Sequence, residues 1–162
     1  MVLVRTSGTA AAQELAAEPG MADLVDEVRT GARLVTVTAG SNVRRIGDVA
    51  HDGRAVFLFN FFYAEDEQAI VPVWEHSARW FVARTHIRNS MVLRPLAGQD
   101  AHYGVVNHAS WPRWRDFLPH LALRPSFRTY VNGNTVANGL MSRPGLYRQV
   151  ATSQAGDLPY GA

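Results

Sequence analysis

The spacing of apolar positions changes several times along the chain, and each change marks an element. Leu34-Val35-Thr36-Val37-Thr38 is a β-branched run that reads as a strand, stopped by Ala39-Gly40-Ser41-Asn42. Val43 to Ala50 reads as a second short strand, and His51-Asp52-Gly53-Arg54 as a turn. Ala55 to Tyr63 is apolar at both parities, the pattern of a strand covered on both faces. Asn60 interrupts it, and a lone amide amid aromatics must find partners, a neighbouring backbone or a polar ligand, or cost a few (~2–7) kcal/mol. Acids from Glu65 to Glu67 then suit a helix start. Ile70, Val73, Trp74, Ser77, Ala78 and Phe81 follow helical spacing, which predicts a helix to about Arg84 with those residues inward. Pro72 either opens its regular part or kinks it.

Thr85 to Leu96 alternates again and reads as a strand, with His86, Arg88, Ser90, Val92 and Arg94 on one parity. Ala97 to Asp100 reads as a hairpin turn and Ala101 to Ser110 as its return strand. After Trp111-Pro112, a short helix is expected from Arg113 to Leu121, with Trp114, Phe117, Leu118 and Leu121 inward. Phe127 to Ser142, rich in Gly and Asn, reads as a long loop, and Leu146 to Thr152 as a last strand. From Ala55 onward the order is strand, helix, strand, strand, helix, strand. That is the α+β, ferredoxin-like split βαβ pattern. Helices of this fold cover one face of the sheet. The apolar character of the other predicts a homodimer joined through the sheet.

Three regions follow. Residues 1–54 form an N-terminal extension, its first twenty residues expected to be poorly ordered and the rest to hold one or two short strands. Residues 55–152 form the ferredoxin-like domain, and 153–162 a flexible tail. The 162 residues suit one domain with a real core. Cysteine is absent, which removes disulfides, thiolate metal sites and cysteine nucleophiles. All sixteen basic residues are arginine, so neither a lysine Schiff base nor a P-loop lysine is available. They are interleaved with fourteen acids, for a net charge of +2, and draw no basic stripe; no nucleic-acid partner is expected. Nor is a membrane span expected, since no apolar run is long enough. No signal-peptide-like stretch opens the chain, and a cytoplasmic location is the expectation.

The sequence holds no HExxH, GxGxxG, GxSxG or Walker motif. Its six histidines form no helical pair, and no metal is expected. What remains is the stretch from Tyr103 to Trp111. Strand alternation puts Tyr103, Val105, Asn107, Ala109 and Trp111 on one face. There an amide and an indole N–H share a wall. Neither is a base, but both can donate to an oxygen gaining negative charge, as an enolate or oxyanion requires.

The Val-Val-Asn-His-Ala-Ser-Trp core of that stretch resembles the Asn-x-x-x-Trp stretch of the antibiotic biosynthesis monooxygenase family. Phe57 to Tyr63 resembles the family's first strand, Glu65 to Arg84 with Trp74 its first helix, and Arg143-Pro144-Gly145-Leu146-Tyr147 its lead into the last strand. The resemblance implies a dimeric α/β barrel. By likeness to the anthrone oxygenases of aromatic polyketide pathways, it also implies oxidation of an aromatic polyketide to a quinone by molecular oxygen, with no cofactor. Asn107 and Trp111 would be the catalytic donors, with Asn60, Trp74, Tyr103 and Phe117 around the substrate. His76, His86 and His108 are the candidate bases, alongside water. Phe117 departs from the tyrosine that the anthrone oxygenases carry there. The alternatives in the same fold are a non-oxidative polyketide cyclase or isomerase, and a haem- or flavin-assisted oxygenase. For haem, Asn60 fits but no histidine stands near Thr129-Tyr130, where the ligand is expected.

Overall fold

A computed structural model describes residues 1–51, 55–99 and 101–149. Its centre is a five-stranded antiparallel sheet in the order β1-β3-β4-β2-β5. The strands are β1 (Gly40–Gly47), β2 (Val56–Tyr63), β3 (Ser90–Pro95), β4 (Val105–Trp111) and β5 (Met141–Arg148). Between β2 and β3 runs the helix α3 (Ile70–Thr85), entered through a 3-10 turn, Glu67–Ala69. Between β4 and β5 the chain is helical in pieces: a 3-10 turn (Trp114–Asp116), α4 (Leu118–Leu123), a π-helical turn (Phe127–Asn132) and α5 (Gly133–Ala137). Taken alone, β2 to β5 lie in the order β3-β4-β2-β5 with every neighbour antiparallel, which is the ferredoxin-like arrangement. β1 is an addition at the edge beside β3.

Each strand sorts its side chains by parity. Leu58, Asn60 and Phe62 of β2 face the helices, whereas Phe57, Phe59 and Phe61 face the other way. The two faces are therefore both apolar, as the continuous run from Ala55 to Tyr63 predicted. On the helix side, one cluster gathers Phe62, Ile70, Val73, Trp74, Val92, Val105 and Leu140. A second gathers Val56, Ile87, Ala109, Trp111 and Phe117. The opposite face holds Phe57, Phe59 and Val106, closed over by Val49 and Ala55.

Several expectations are corrected. Leu34 to Thr38 is not a strand; Leu34 is 81% exposed, and the added strand starts at Gly40, where the free edge of β3 supplies partners as far as Gly47. Two bulges bend β1 onto that edge. At Gly47 a Cβ would stand 2.5 Å from the Arg88 carbonyl oxygen, so only glycine permits the approach. Within residues 1–20 the chain forms α1 (Thr9–Ala17) and enters α2 (Pro19–Gly31), though neither helix buries a residue. Pro72 sits in the first turn of α3, where the missing N–H is harmless. That helix runs on to Thr85 and ends on His86 in the left-handed conformation (φ 53°), so the expected strand begins only at Ser90.

The return strand likewise starts at Val105, not Ala101. Trp114 and Leu118, expected inward, are 52% and 40% exposed, because the segment breaks into a 3-10 turn and a separate short helix around Phe117. The stretch expected as a long loop from Phe127 is helical, anchored by Val131. The last strand begins at Met141, with Pro144 tolerated because β5 is an edge. The turn at Asp52 to Arg54, the end of the hairpin turn at Asp100, the expected end of the last strand at 150–152 and the 153–162 segment expected as a tail lie outside the described residues.

Candidate active site

Across the helix-facing side of the sheet, the two apolar clusters are separated by a polar belt. Asn60 on β2 stands directly opposite Asn107 on β4, and Asn107 opposite Val92 on β3. Opposed residues on adjacent antiparallel strands hold their Cβ atoms about 4.5–5.5 Å apart. Ser90, two places before Val92 and on the same face, donates its hydroxyl to Asn107 Oδ1 at 2.6 Å. Ser90 is 2% exposed and Asn107 9%, so this bond is well shielded. It also fixes which way the amide points. With Oδ1 engaged, the Nδ2 of Asn107 is the outward donor, and it reaches no acceptor among the described residues. Asn60 Oδ1 is buried and has no hydrogen-bond partner there either. The belt thus presents one unspent donor and one unspent acceptor, side by side, between apolar walls.

Trp111 is placed differently. It lies on the same face of β4 as Asn107, 3% exposed, but its Nε1–H donates to Thr85 Oγ1 at 3.3 Å. Thr85 in turn donates to the Phe81 carbonyl at 2.8 Å. The indole is therefore tied to the end of α3, and along a strand a four-residue separation spans about 13 Å. Phe117 stacks on it, with ring centroids 4.4 Å apart and planes 26° apart. Trp74 lies at the other end of the belt, 7% exposed in the cluster with Phe62 and Val92.

The structure does not bring every expected residue to this belt. Tyr103 precedes β4 rather than belonging to it, and packs edge-on against Phe61 on the opposite face of the sheet. His108 also faces that side, as its odd spacing from Asn107 requires. His86 is the exposed cap of α3. His76, on α3, stacks on Tyr130 with centroids 4.0 Å apart. Of the three candidate bases, none faces the polar belt.

His108 has its own environment. It lies flat against Phe59, 4.1 Å between centroids, and its Nε2 is 3.0 Å from Nε2 of His51. With the two ring centroids 5.1 Å apart and the planes 20° apart, the imidazoles meet head to head in one plane, so one neutral ring donates to the other. Burial, and then the neighbouring His51, push the His108 pKa down from 6.5 to about 4; the Leu58 backbone works weakly the other way without reaching hydrogen-bond geometry. His108 is thus neutral at pH 7.

Sequence reasoning missed Ser90 and Thr85, the two hydroxyls that orient Asn107 and Trp111. Ser90 had a signal, since it shares a parity with buried Val92 and is the smallest polar side chain there. Thr85 had none, because it was assigned to a strand that begins five residues later. Two surface clefts of about 490 and 200 Å³ lie elsewhere, and neither is lined by Asn60, Asn107 or Trp111. Among the described residues no group of three His, Cys, Asp or Glu converges as metal ligands would. Nor is any described helix long and apolar enough to cross a membrane.

No family model matches the chain, and no curated protein matches it. Among solved structures it is similar to a proposed monooxygenase from Shewanella loihica PV-4, at 24% identity over 62% of this chain and 99% of that one, with a TM-score of 0.46. It is also similar to a major regulator of staphylococcal pathogenesis, at 10% identity over 73% of this chain and 72% of that one, with a TM-score of 0.48. One neighbour bears an enzyme's description and the other a regulator's, and neither likeness supplies a function. The ferredoxin-like assignment rests on the strand order and the βαββαβ succession of this chain itself.

Proposed function

We propose that the chain is a monooxygenase that oxidises an enolisable aromatic ketone, of the anthrone type found among aromatic polyketides, to a quinone with molecular oxygen. The observation that carries this reading is that directly opposed residues of β2 and β4 hold an unpartnered acceptor, Asn60 Oδ1, and an unspent donor, Asn107 Nδ2–H. A buried amide oxygen without a partner costs about 1–3 kcal/mol. A ligand bearing a carbonyl or enolate oxygen beside a phenolic hydroxyl satisfies both groups, the amide N–H donating to the first and Asn60 accepting from the second.

Asn107 then stabilises the oxygen that gains charge when the carbon acid loses its proton. Ser90 keeps that donor from rotating away, and Trp74, Phe62, Val92 and Val105 supply dry walls. No histidine among the candidates faces the belt, so the proton passes to water. The electron-rich enolate reacts with dioxygen by an initial one-electron transfer, which evades the spin barrier. The balance is one anthrone and one dioxygen giving one quinone and one water, so no external reductant is consumed.

The test is oxygen uptake with dithranol at neutral pH, corrected for the uncatalysed rate. Catalysed uptake of one dioxygen per quinone formed is expected, with Asn107→Ala lowering kcat on the order of 10²-fold. Saturable binding without uptake, or uptake indifferent to Asn107, would remove the oxygenase reading. Rearranged product formed without oxygen would replace it with the cyclase.

A further inference from the structure

A second feature lies outside the belt, at the end of the sheet. The cleft of about 490 Å³ there opens between the first residues of β2, the end of β5 and the turn after β4. It is lined by Val56, Pro112, Arg113, Trp114, Arg115 and Arg148, among others. These side chains come from distant parts of the chain. Pairing of β2 with both β4 and β5 brings Arg148 opposite Val56, and Val56 opposite Trp111, so Arg148 and the turn that follows Trp111 lie at the same end of the sheet and line one cleft.

Two properties of this cleft call for a ligand. The first is its charge. Arg113 meets Asp116 at 3.4 Å, while Arg115 and Arg148 form no ion pair among the described residues. Guanidinium groups in this setting suit a phosphate, which takes their paired N–H groups in a fork. The second is Trp114. The chain has four tryptophans; Trp74, Trp80 and Trp111 are 7%, 5% and 3% exposed, whereas Trp114 is 52% exposed at the rim of the arginine cleft. A bare indole beside unpaired guanidinium groups is an arrangement for stacking a planar ring whose substituent is anionic. The volume falls within the roughly 300–1,000 Å³ of small-molecule sites.

We infer that this cleft binds a planar aromatic phosphate, of which a nucleoside monophosphate is the simplest representative, with the ring on Trp114 and the phosphate between Arg115 and Arg148. The site shares no residue with the polar belt and does not depend on the oxygenase reading.

The experiment uses the full chain with AMP, adenosine and inorganic phosphate as probes. Acrylamide quenching of tryptophan emission reports mainly on Trp114, the exposed indole, and calorimetry reports affinity independently of fluorescence. AMP is expected to bind saturably and to shield the quenchable emission, with adenosine and phosphate each weaker by about tenfold or more. Arg115→Ala and Arg148→Ala should each weaken AMP by about 10-fold. Trp114→Ala should weaken it in calorimetry by a similar factor, about 10-fold. All three positions are exposed, and unchanged melting curves will certify that the variants fold. The inference is overturned if AMP shows no saturable binding up to about 10 mM. It is overturned equally if inorganic phosphate binds as tightly as AMP, or if AMP affinity is indifferent to the two arginines.

Discussion

Acidification should destabilise this protein through one identifiable residue. His108 is 2% exposed, stacked on Phe59 and joined edge to edge with the His51 ring, and its pKa is held at about 4 against 6.5 for a free imidazole. Above pH 6.5 the ring is neutral in both folded and unfolded chains and stability does not depend on it. Between 6.5 and about 4 the unfolded chain takes up a proton that the native state refuses, so stability falls as pH falls. Below about 4 both states are protonated and the loss is complete. Each pH unit between the two values is worth about 1.4 kcal/mol, which sets a ceiling of about 3 kcal/mol. Water reaches the pair past exposed His51, and screening brings the expected loss to about 2 kcal/mol.

The comparison is His108→Phe, which keeps the aromatic stack with Phe57 and Phe59 but cannot titrate. Urea unfolding followed by tryptophan fluorescence at about pH 7, 6, 5 and 4 gives the stability of each protein. The wild type should lose about 2 kcal/mol more than the variant across that range. The absolute stability of the variant is not diagnostic, since it also loses the bond to His51. Parallel pH profiles for the two proteins would refute the reasoning, and would mean that His108 is as readily protonated folded as unfolded.

Phe117→Ala removes a ring that is 2% exposed and stacked on Trp111; urea unfolding should show a loss of about 3–5 kcal/mol. Ser90→Ala leaves Asn107 Oδ1 buried without its donor, for an expected cost of about 1–3 kcal/mol. If Ser90 positions the amide for catalysis, dithranol turnover should fall while oxygen uptake retains its stoichiometry. Removing residues 1–31 deletes two helices that bury no side chain, so the unfolding free energy of the remainder should change by no more than about 0.5 kcal/mol. A larger loss would show that the arm packs on the sheet.

The elements that periodicity marks strongly were legible without coordinates. The run from Ala55 to Tyr63, the helical spacing from Ile70 to Phe81 and the alternation through Asn107 and Trp111 all formed as their patterns require, because each buries a face wide enough to outweigh competing local choices. The βαββαβ order, and with it the fold, followed from those elements. That Asn107 and Trp111 share a face of β4 followed too, since side-chain parity in a strand admits only two directions; that Asn60 stands opposite Asn107 came only with the register between β2 and β4. Weak patterns failed where packing decided. Leu34 to Thr38 has better strand residues than Gly40 to Gly47, yet only the second meets the free edge of β3. The polar stretch from Phe127 to Ala137 became helical because Val131 found a buried place against α3.

Tertiary structure alone decided partnership. Nothing local tells that Ser90 will reach Asn107, that Thr85 will accept from the indole N–H of Trp111, or that His51 will meet His108, for these pairs are 17, 26 and 57 residues apart in the chain. Parity along a strand sets the direction of a side chain. Which atom waits in that direction depends on register between strands and on where the covering helix stops, and these are settled only when the whole sheet closes.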